Sequence, residues 1–259
     1  MANSSRSPAG AIPGGLSVSL IARDEERDLG EALDSVGGIA DEIIVLVDER
    51  SRDRTEEIAR GRGARVSLRR FDTFAGQKQA ALDLCGSRWV LSLDADERLS
   101  PALRGEILRG LNGETRFAGF DIPFHIHFMG RRLRFGGLGS ESHLRLFRRD
   151  SARFTGGRLH EGLEVSGPVA RLTHPIIHQS YRDLADYLRK LDLYTSLGAQ
   201  KLKASGRRFR PWHHLVLPWE FFSRAVLRLG LLDGHAGLIW AALSAYHAWL
   251  KYAKLKELE

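Results

Sequence analysis

The residues with the clearest chemical potential are the acids in Leu91-Ser92-Leu93-Asp94-Ala95-Asp96-Glu97. Side chains two apart in extended backbone point the same way, so Asp94 and Asp96 can present oxygen ligands together. Hard ligands at that spacing suit Mg²⁺ or Mn²⁺ carrying a diphosphate. The competing reading is a solvated turn whose acids cap the next helix, since an isolated Asp-x-Asp occurs often by chance. What favours the first is position: the pair follows a hydrophobic run. Two more acid pairs, Asp24-Glu25 and Asp48-Glu49, also follow apolar runs. Acids gathered at one edge repel each other unless a metal or polar ligand offsets the charge.

The elements that must position these acids alternate between two periods. Ser17 to Ala22 reads as a buried strand, and Asp28 to Val36 as a helix ended by Gly37-Gly38. Glu42 to Asp48 is a β-branched strand, and Arg52 to Arg60 a helix. A strand at Ala64 to Leu68, a helix at Gly76 to Leu84 and a strand at Trp89 to Leu93 follow. Ser100 and Pro101 open a helix running to Leu111, as an N-cap and a proline at the first helical position. Short apolar strands separated by helices predict an α/β fold with a mostly parallel sheet, in which ligands bind beyond the C-terminal strand ends. That is where the acid pairs fall. From Phe117 to Ser180 the chain is Gly-rich, with β-like pieces at Phe120 to Phe128, Ser142 to Phe147 and Leu172 to Ser180, read as a partly antiparallel extension.

Across 259 residues, 43% are hydrophobic and 27% charged, which excludes disorder as the main state. The lone Cys85 excludes a disulfide scaffold, and without a histidine nearby in sequence it reads as a small structural residue. Residues 1–15 are rich in Ser, Pro and Gly and are predicted to be a disordered tail without a secretion signal. The net charge is +7, and Lys201 to Glu259 alone hold 10 basic and 4 acidic residues. Four of five tryptophans, Trp212, Trp219, Trp240 and Trp249, share that stretch. Arg182 to Ala204, Trp219 to Leu232 and Gly237 to Lys256 read as helices, the last two amphipathic with basic flanks. That pattern fits an in-plane helix on an anionic membrane surface, or a face packed on protein. No zinc-ligand spacing, RNA-binding signature or basic zipper occurs, so nucleic acid is not an expected partner.

Several stretches in order resemble family 2 glycosyltransferases of the GT-A fold, especially bacterial lipopolysaccharide core enzymes. They are SVSLIARDE from Ser17, DEIIVLVDERSRDRT from Asp41, FAGQKQAAL from Phe74 and WVLSLDADERLSP from Trp89. LHEG at Leu159, HQSY at His178 and the tail from LGLLDGHAGL to KYAKL also match. The resemblance implies a GT-A nucleotide-diphospho-sugar transferase domain over residues 16–181 and a helical, basic, membrane-associating region over 182–259. It implies a nucleotide-sugar donor held by Ala22, Glu25, Asp48, Lys78 and Asp94. Asp48 would face the base, Glu25 the uridine part, and Lys78 the nucleotide or its diphosphate, because an ammonium neutralises phosphate. Asp94 would meet ribose or the metal, and Asp96 would be the principal ligand of Mg²⁺ or Mn²⁺. Lys78 as a solvated helix residue is the alternative. Two departures stand out: Asp24 where many relatives carry Asn, and Arg50 where many carry Gly.

An inverting transfer needs a base for the acceptor hydroxyl, and Glu161, beyond the Gly156-Gly157 pair, is the candidate. His160 either orients Glu161, contacts phosphate or does neither; the whole loop is otherwise a surface turn. His178 is read as a third metal ligand, a diphosphate contact or a structural residue. Arg131, Arg132, Arg134, Arg145, Arg148 and Arg149 form a cluster, with phosphates on an acidic acceptor as the functional reading and solvation as the default. The expected activity is metal-dependent, inverting transfer of a hexose, from a UDP-sugar, to lipopolysaccharide core or another lipid-linked acceptor. The expected place is the cytoplasmic face of a bacterial inner membrane. Polyprenyl phosphate is the rival acceptor. A nucleotidyltransferase would need a Gly-rich loop after the first strand, where this chain has Ala22-Arg23-Asp24-Glu25-Glu26. A non-enzymatic membrane or nucleic-acid binding protein leaves the strand-end acids unexplained.

Overall fold

The computed structural model describes residues 12–139, 141–156, 161–181 and 183–259. The described chain forms two compact units, one running to Phe124 and taking in Ser142–Ile177, the other comprising His125–Glu141 and His178–Glu259.

The first unit opens with β1 (Leu16–Ala22), α1 (Leu29–Val36), β2 (Glu42–Val47), α2 (Thr55–Gly61), β3 (Arg65–Leu68), α3 (Phe74–Asp83) and β4 (Trp89–Asp94). Strands β3, β2, β1 and β4 lie side by side in that order, all parallel. Such sheets, covered on both faces, call for continuous apolar strands. β1 (LSVSLIA) meets this requirement, with only its sixth residue less than fully buried. After β4 come β5 (Glu97–Leu99), α4 (Pro101–Leu111) and β6 (Gly119–Phe128). β7 (Arg131–Arg132) pairs with the end of β6 in the second unit. β8 (Ser142–Arg148) returns antiparallel to β4, and β6 lies antiparallel beyond it. β9 (Ala152–Gly156) and β10 (Glu161–Val165) make a separate hairpin, β11 (Val169–Arg171) pairs with β6, and β12 (Ile176–Tyr181) leads into the second unit. The sheet is therefore mixed: four parallel strands followed by a partly antiparallel extension, in which β11 runs parallel to β6.

Local chemistry sets the boundaries. α4 starts as predicted, with the Ser100 hydroxyl accepting from the Leu103 N–H and Pro101 in the first turn. α3 starts two residues before the predicted Gly76, because Thr73 is extended and its hydroxyl accepts from the Gly76 N–H. α2 starts three residues later than Arg52, because the Asp53 carboxylate accepts from the N–H groups of Glu26 and Thr55 and holds the preceding residues in a loop. Ile44, Leu82, Cys85, Val90, Phe147 and Phe154 pack together in the core. Burial pushes the Cys85 thiol up to about 12, so it is a packing residue and not a nucleophile.

The second unit is mainly α5 (Leu184–Ala204), α6 (Val216–Phe222) and α7 (Gly234–Glu257), with both shorter helices packed on α7. The Tyr187 hydroxyl donates to the Leu243 carbonyl at 2.9 Å, and Lys254 Nζ reaches the Asp192 carboxylate at 2.7 Å. Phe128, Tyr181 and Tyr187 surround the Trp240 ring at centroid distances of 5.5, 6.1 and 6.4 Å. The predicted continuous helix over Trp219 to Leu232 is instead broken. α6 runs into a π-helical turn at Ser223–Leu227, Leu229 adopts φ +58°, and a 3₁₀ turn covers Gly230–Asp233. The turn brings the Gly230 carbonyl against Gly237, where a Cβ would lie 2.0 Å from that oxygen. Helical periodicity alone conceals such a corner.

Candidate active site

The parallel registers align the C-terminal strand ends. Ala22 is opposite Val47, and Ile21 is opposite Asp94, so Ala22, Asp48 and Asp94 sit on one edge. Backbone pairing continues one step further, with the Asp48 N–H donating to the Ala22 carbonyl at 2.9 Å.

The loops leaving β1 and β2 are laced to each other. Ser51 Oγ accepts from the Asp24 N–H, Thr55 Oγ1 from the Glu25 N–H, and Asp24 Oδ1 from the Arg52 N–H, at 3.0, 2.8 and 2.8 Å. Asp24 takes φ +55° to make this turn. Asn and Asp are the non-glycine residues that tolerate that region best, so Asp24 serves the turn as Asn would. These bonds fix the backbone that carries Glu25. Asp48 is buried at 2% exposure, and Arg50 grips it twice, Nε to Oδ1 at 3.1 Å and Nη2 to Oδ2 at 2.8 Å. That guanidinium holds the Asp48 carboxyl down at about 2.

Lys78 is a buried residue of α3, at 3% exposure, not a solvated one. Its Nζ meets Asp94 Oδ1 at 2.9 Å. The other Asp94 oxygen takes Arg145 Nη2 at 2.7 Å, and the same Arg145 nitrogen bonds the buried Glu97 carboxylate. Glu97 also accepts from the Asp94 N–H at 3.0 Å. Burial pushes the Asp94 carboxyl up, but Arg145 and Lys78 outweigh it and hold the group well below the usual carboxylate range. Two cations and two carboxylates thus form a preorganised network at the end of β4. Asp96 follows in the turn before β5, half-buried.

In the sequence Arg145 is one of a cluster of six arginines. The structure separates them. Arg145 meets Asp94 and Glu97. Arg148 lies over the Trp89 ring, and Arg149 donates to the Cys85 and Gly86 carbonyls. Arg131, Arg132 and Arg134 belong to the second unit. The usable signal for Arg145 was its setting in Leu144-Arg145-Leu146-Phe147, where a charge inside an apolar strand requires a buried partner. His178 is half-buried on β12 in the second unit. His160 lies outside the described residues, and of Glu161 only the backbone, at the start of β10, is described.

Among the described residues no three His, Cys, Asp or Glu side chains converge as a metal cage. The donor chemistry still fits a divalent ion of the Mg²⁺ kind, which takes one or two carboxylates and completes its shell with phosphate oxygens and water. Asp96 and the adjoining Asp94 are the groups that would hold it.

The family model for glycosyl transferase family 2 matches residues 17–155, which spans every strand end described above. The chain belongs to glycosyl transferase family 2. It is 30% identical to the lipopolysaccharide core biosynthesis glycosyltransferase LpsC of Rhizobium meliloti (strain 1021), over 93% of this chain and 91% of that one. It is 28% identical to an uncharacterized glycosyltransferase, RT0209, of Rickettsia typhi, over 94% and 87% of the two chains. A mycobacterial protein of known crystal structure superposes with a TM-score of 0.50 at 20% identity, over 74% of this chain and 75% of that one. This family 2 glycosyltransferase has the GT-A fold, and its donor class is a nucleotide sugar.

Proposed function

We propose that this family 2 enzyme transfers a hexose from a UDP-sugar, with inversion and with a divalent cation, to a lipid-linked acceptor of the lipopolysaccharide-core type. The observation that carries this reading is the Lys78–Asp94–Arg145–Glu97 network at the end of β4, with Asp96 beside it. Asp94, kept ionised, accepts from ribose hydroxyls or joins Asp96 on the cation. When bound, that cation neutralises charge on the diphosphate leaving group. Lys78 adds positive charge beside Asp94, where the diphosphate would lie. Asp48, Ala22 and Glu25 line the nucleoside end. Glu161 takes the proton from the acceptor hydroxyl as its oxygen attacks the anomeric carbon, with His160 beside it in sequence. The core acceptor is supported by the likeness to LpsC, with polyprenyl phosphate as the rival.

A membrane-held acceptor also accounts for the second unit. Trp212, Leu215, Trp219, Phe222, Leu227 and Leu232 are all exposed, between 46% and 67%. Monomeric soluble surfaces rarely display so much apolar area in one stretch. Exposed Arg207, Arg208, Arg210 and Arg228 accompany them. No single helix among the described residues is long and apolar enough to cross a membrane, though Pro211–Leu227 and Gly230–Glu257, bent by 69°, pass that test as a pair. Apolar and aromatic side chains with arginines nearby suit a segment lying in the interface of an anionic bilayer. The proposed location is the inner face of a bacterial inner membrane.

The test is a transfer assay with UDP-hexoses and a lipid-A-core acceptor. Glu161→Gln should keep donor binding and lose transfer by about 10²-fold or more. Unchanged turnover in that variant removes Glu161 as the base.

A further inference from the structure

The carboxylate assigned to the base is buried and held by Arg50. Asp48 Oδ1 accepts from the Arg50 N–H and Nε, each at 3.1 Å, and Oδ2 accepts from Arg50 Nη2 at 2.8 Å. A carboxylate offers about four acceptor positions; Arg50 takes three of them and Asp48 is only 2% exposed, which leaves little room for the imino N–H of a base. Arg23 Nη1, 3.8 Å from Oδ2, adds further positive charge. Arg50, by contrast, is 44% exposed. Of its five side-chain N–H groups, two are spent on Asp48; the remaining Nη hydrogens and the flat guanidinium face are left for other contacts.

We infer that Arg50 is a specificity-determining residue that replaces Asp48 as the contact to the nucleobase, so that the base is recognised by its acceptors, a ring carbonyl or unprotonated ring nitrogen, and by stacking. The inference rests on the proposal that the donor nucleoside lies at the ends of β1 and β2. Its chemical consequence is a reversal of polarity. An open carboxylate rewards uracil, whose N3 carries a proton, over cytosine, whose N3 does not. A guanidinium does not reward that proton and pairs equally with the O2 carbonyl of either base. This enzyme should therefore discriminate weakly between uridine and cytidine diphosphates, and the discrimination should be latent in Asp48.

The experiment is titration of UDP and CDP, with Mn²⁺ present, into the full chain and into Arg50→Ala, Arg50→Gln and Lys78→Met. Arg50 is exposed, so neither of its substitutions opens the core. The wild type should bind the two nucleotides within about threefold of each other. Both Arg50 variants should raise the preference for UDP over CDP by about tenfold or more, the usual value of a matched against an unmatched buried hydrogen-bonding group. An unchanged UDP-to-CDP ratio in both variants, with binding lost in Lys78→Met, overturns this inference and leaves the donor site standing. Binding untouched in all three variants overturns both.

Discussion

Arg145 joins two carboxylates, and removing it tests whether the network at β4 is structural as well as functional. Its side chain is 12% exposed and that of Glu97 only 1%. Arg145→Met removes the cation shared by Asp94 and Glu97 and should cost about 3–5 kcal/mol in urea denaturation. Arg145→Met combined with Glu97→Gln should recover much of that loss, since one of the two carboxylates that shared the cation is then neutral. A single-variant loss below about 1 kcal/mol would show that the pair is not coupled in solution. Asp48 makes a pH prediction. Its folded value, about 2, lies below the ordinary 3.8, so its contribution to stability is complete above that ordinary value and is lost as pH falls through about 2. Stability of Asp48→Asn should accordingly fall less steeply than wild type across that acidic interval, as read by urea midpoints at successive pH values. At this scale the acids were legible, because hydrophobic runs ending in Asp declare strand ends. Arg145 was not. The sequence shows six nearby arginines alike, and only the antiparallel return of β8 onto β4 brings one of them to Asp94.

At the scale of elements, the four parallel strands and their helices were readable to within a few residues, since each strand is an apolar run and each helix carries a stop or a cap. What escaped were segments governed by side chain to backbone bonds. β5 was not foreseen because three residues carry no period. The start of α2 was misplaced because Asp53 serves the loop after β1. The corner before α7 was missed because Leu229 and Gly230 sit within an unbroken helical pattern. That corner depends on Gly237, since any Cβ there collides with the Gly230 carbonyl oxygen. Gly237→Ala should destabilise by about 1–3 kcal/mol through overpacking. The measurement is thermal unfolding by circular dichroism. An unchanged or raised midpoint, as helix propensity alone would give, would contradict the close approach.

For the whole molecule, Lys201 to Glu259 carry most of the net charge and four of the five tryptophans, and the exposed apolar stretch from Trp212 to Leu232 is the surface that the proposed membrane contact would use. The full chain should sediment with vesicles containing anionic lipid and release as salt rises. Trp219→Glu with Leu232→Glu should lose that sedimentation while nucleotide binding persists, because both side chains are more than 60% exposed. Equal sedimentation of the double variant would assign the surface to protein contacts instead. The central claim, a nucleotide-sugar site at the strand ends completed by a cation on Asp96, is reached most directly by calorimetric titration of UDP into wild type and Asp96→Ala, each with and without Mn²⁺. Mn²⁺ should strengthen UDP binding to the wild type by about tenfold or more, and Asp96→Ala should remove this gain. UDP binding that is the same with and without Mn²⁺, and the same in Asp96→Ala, would contradict it.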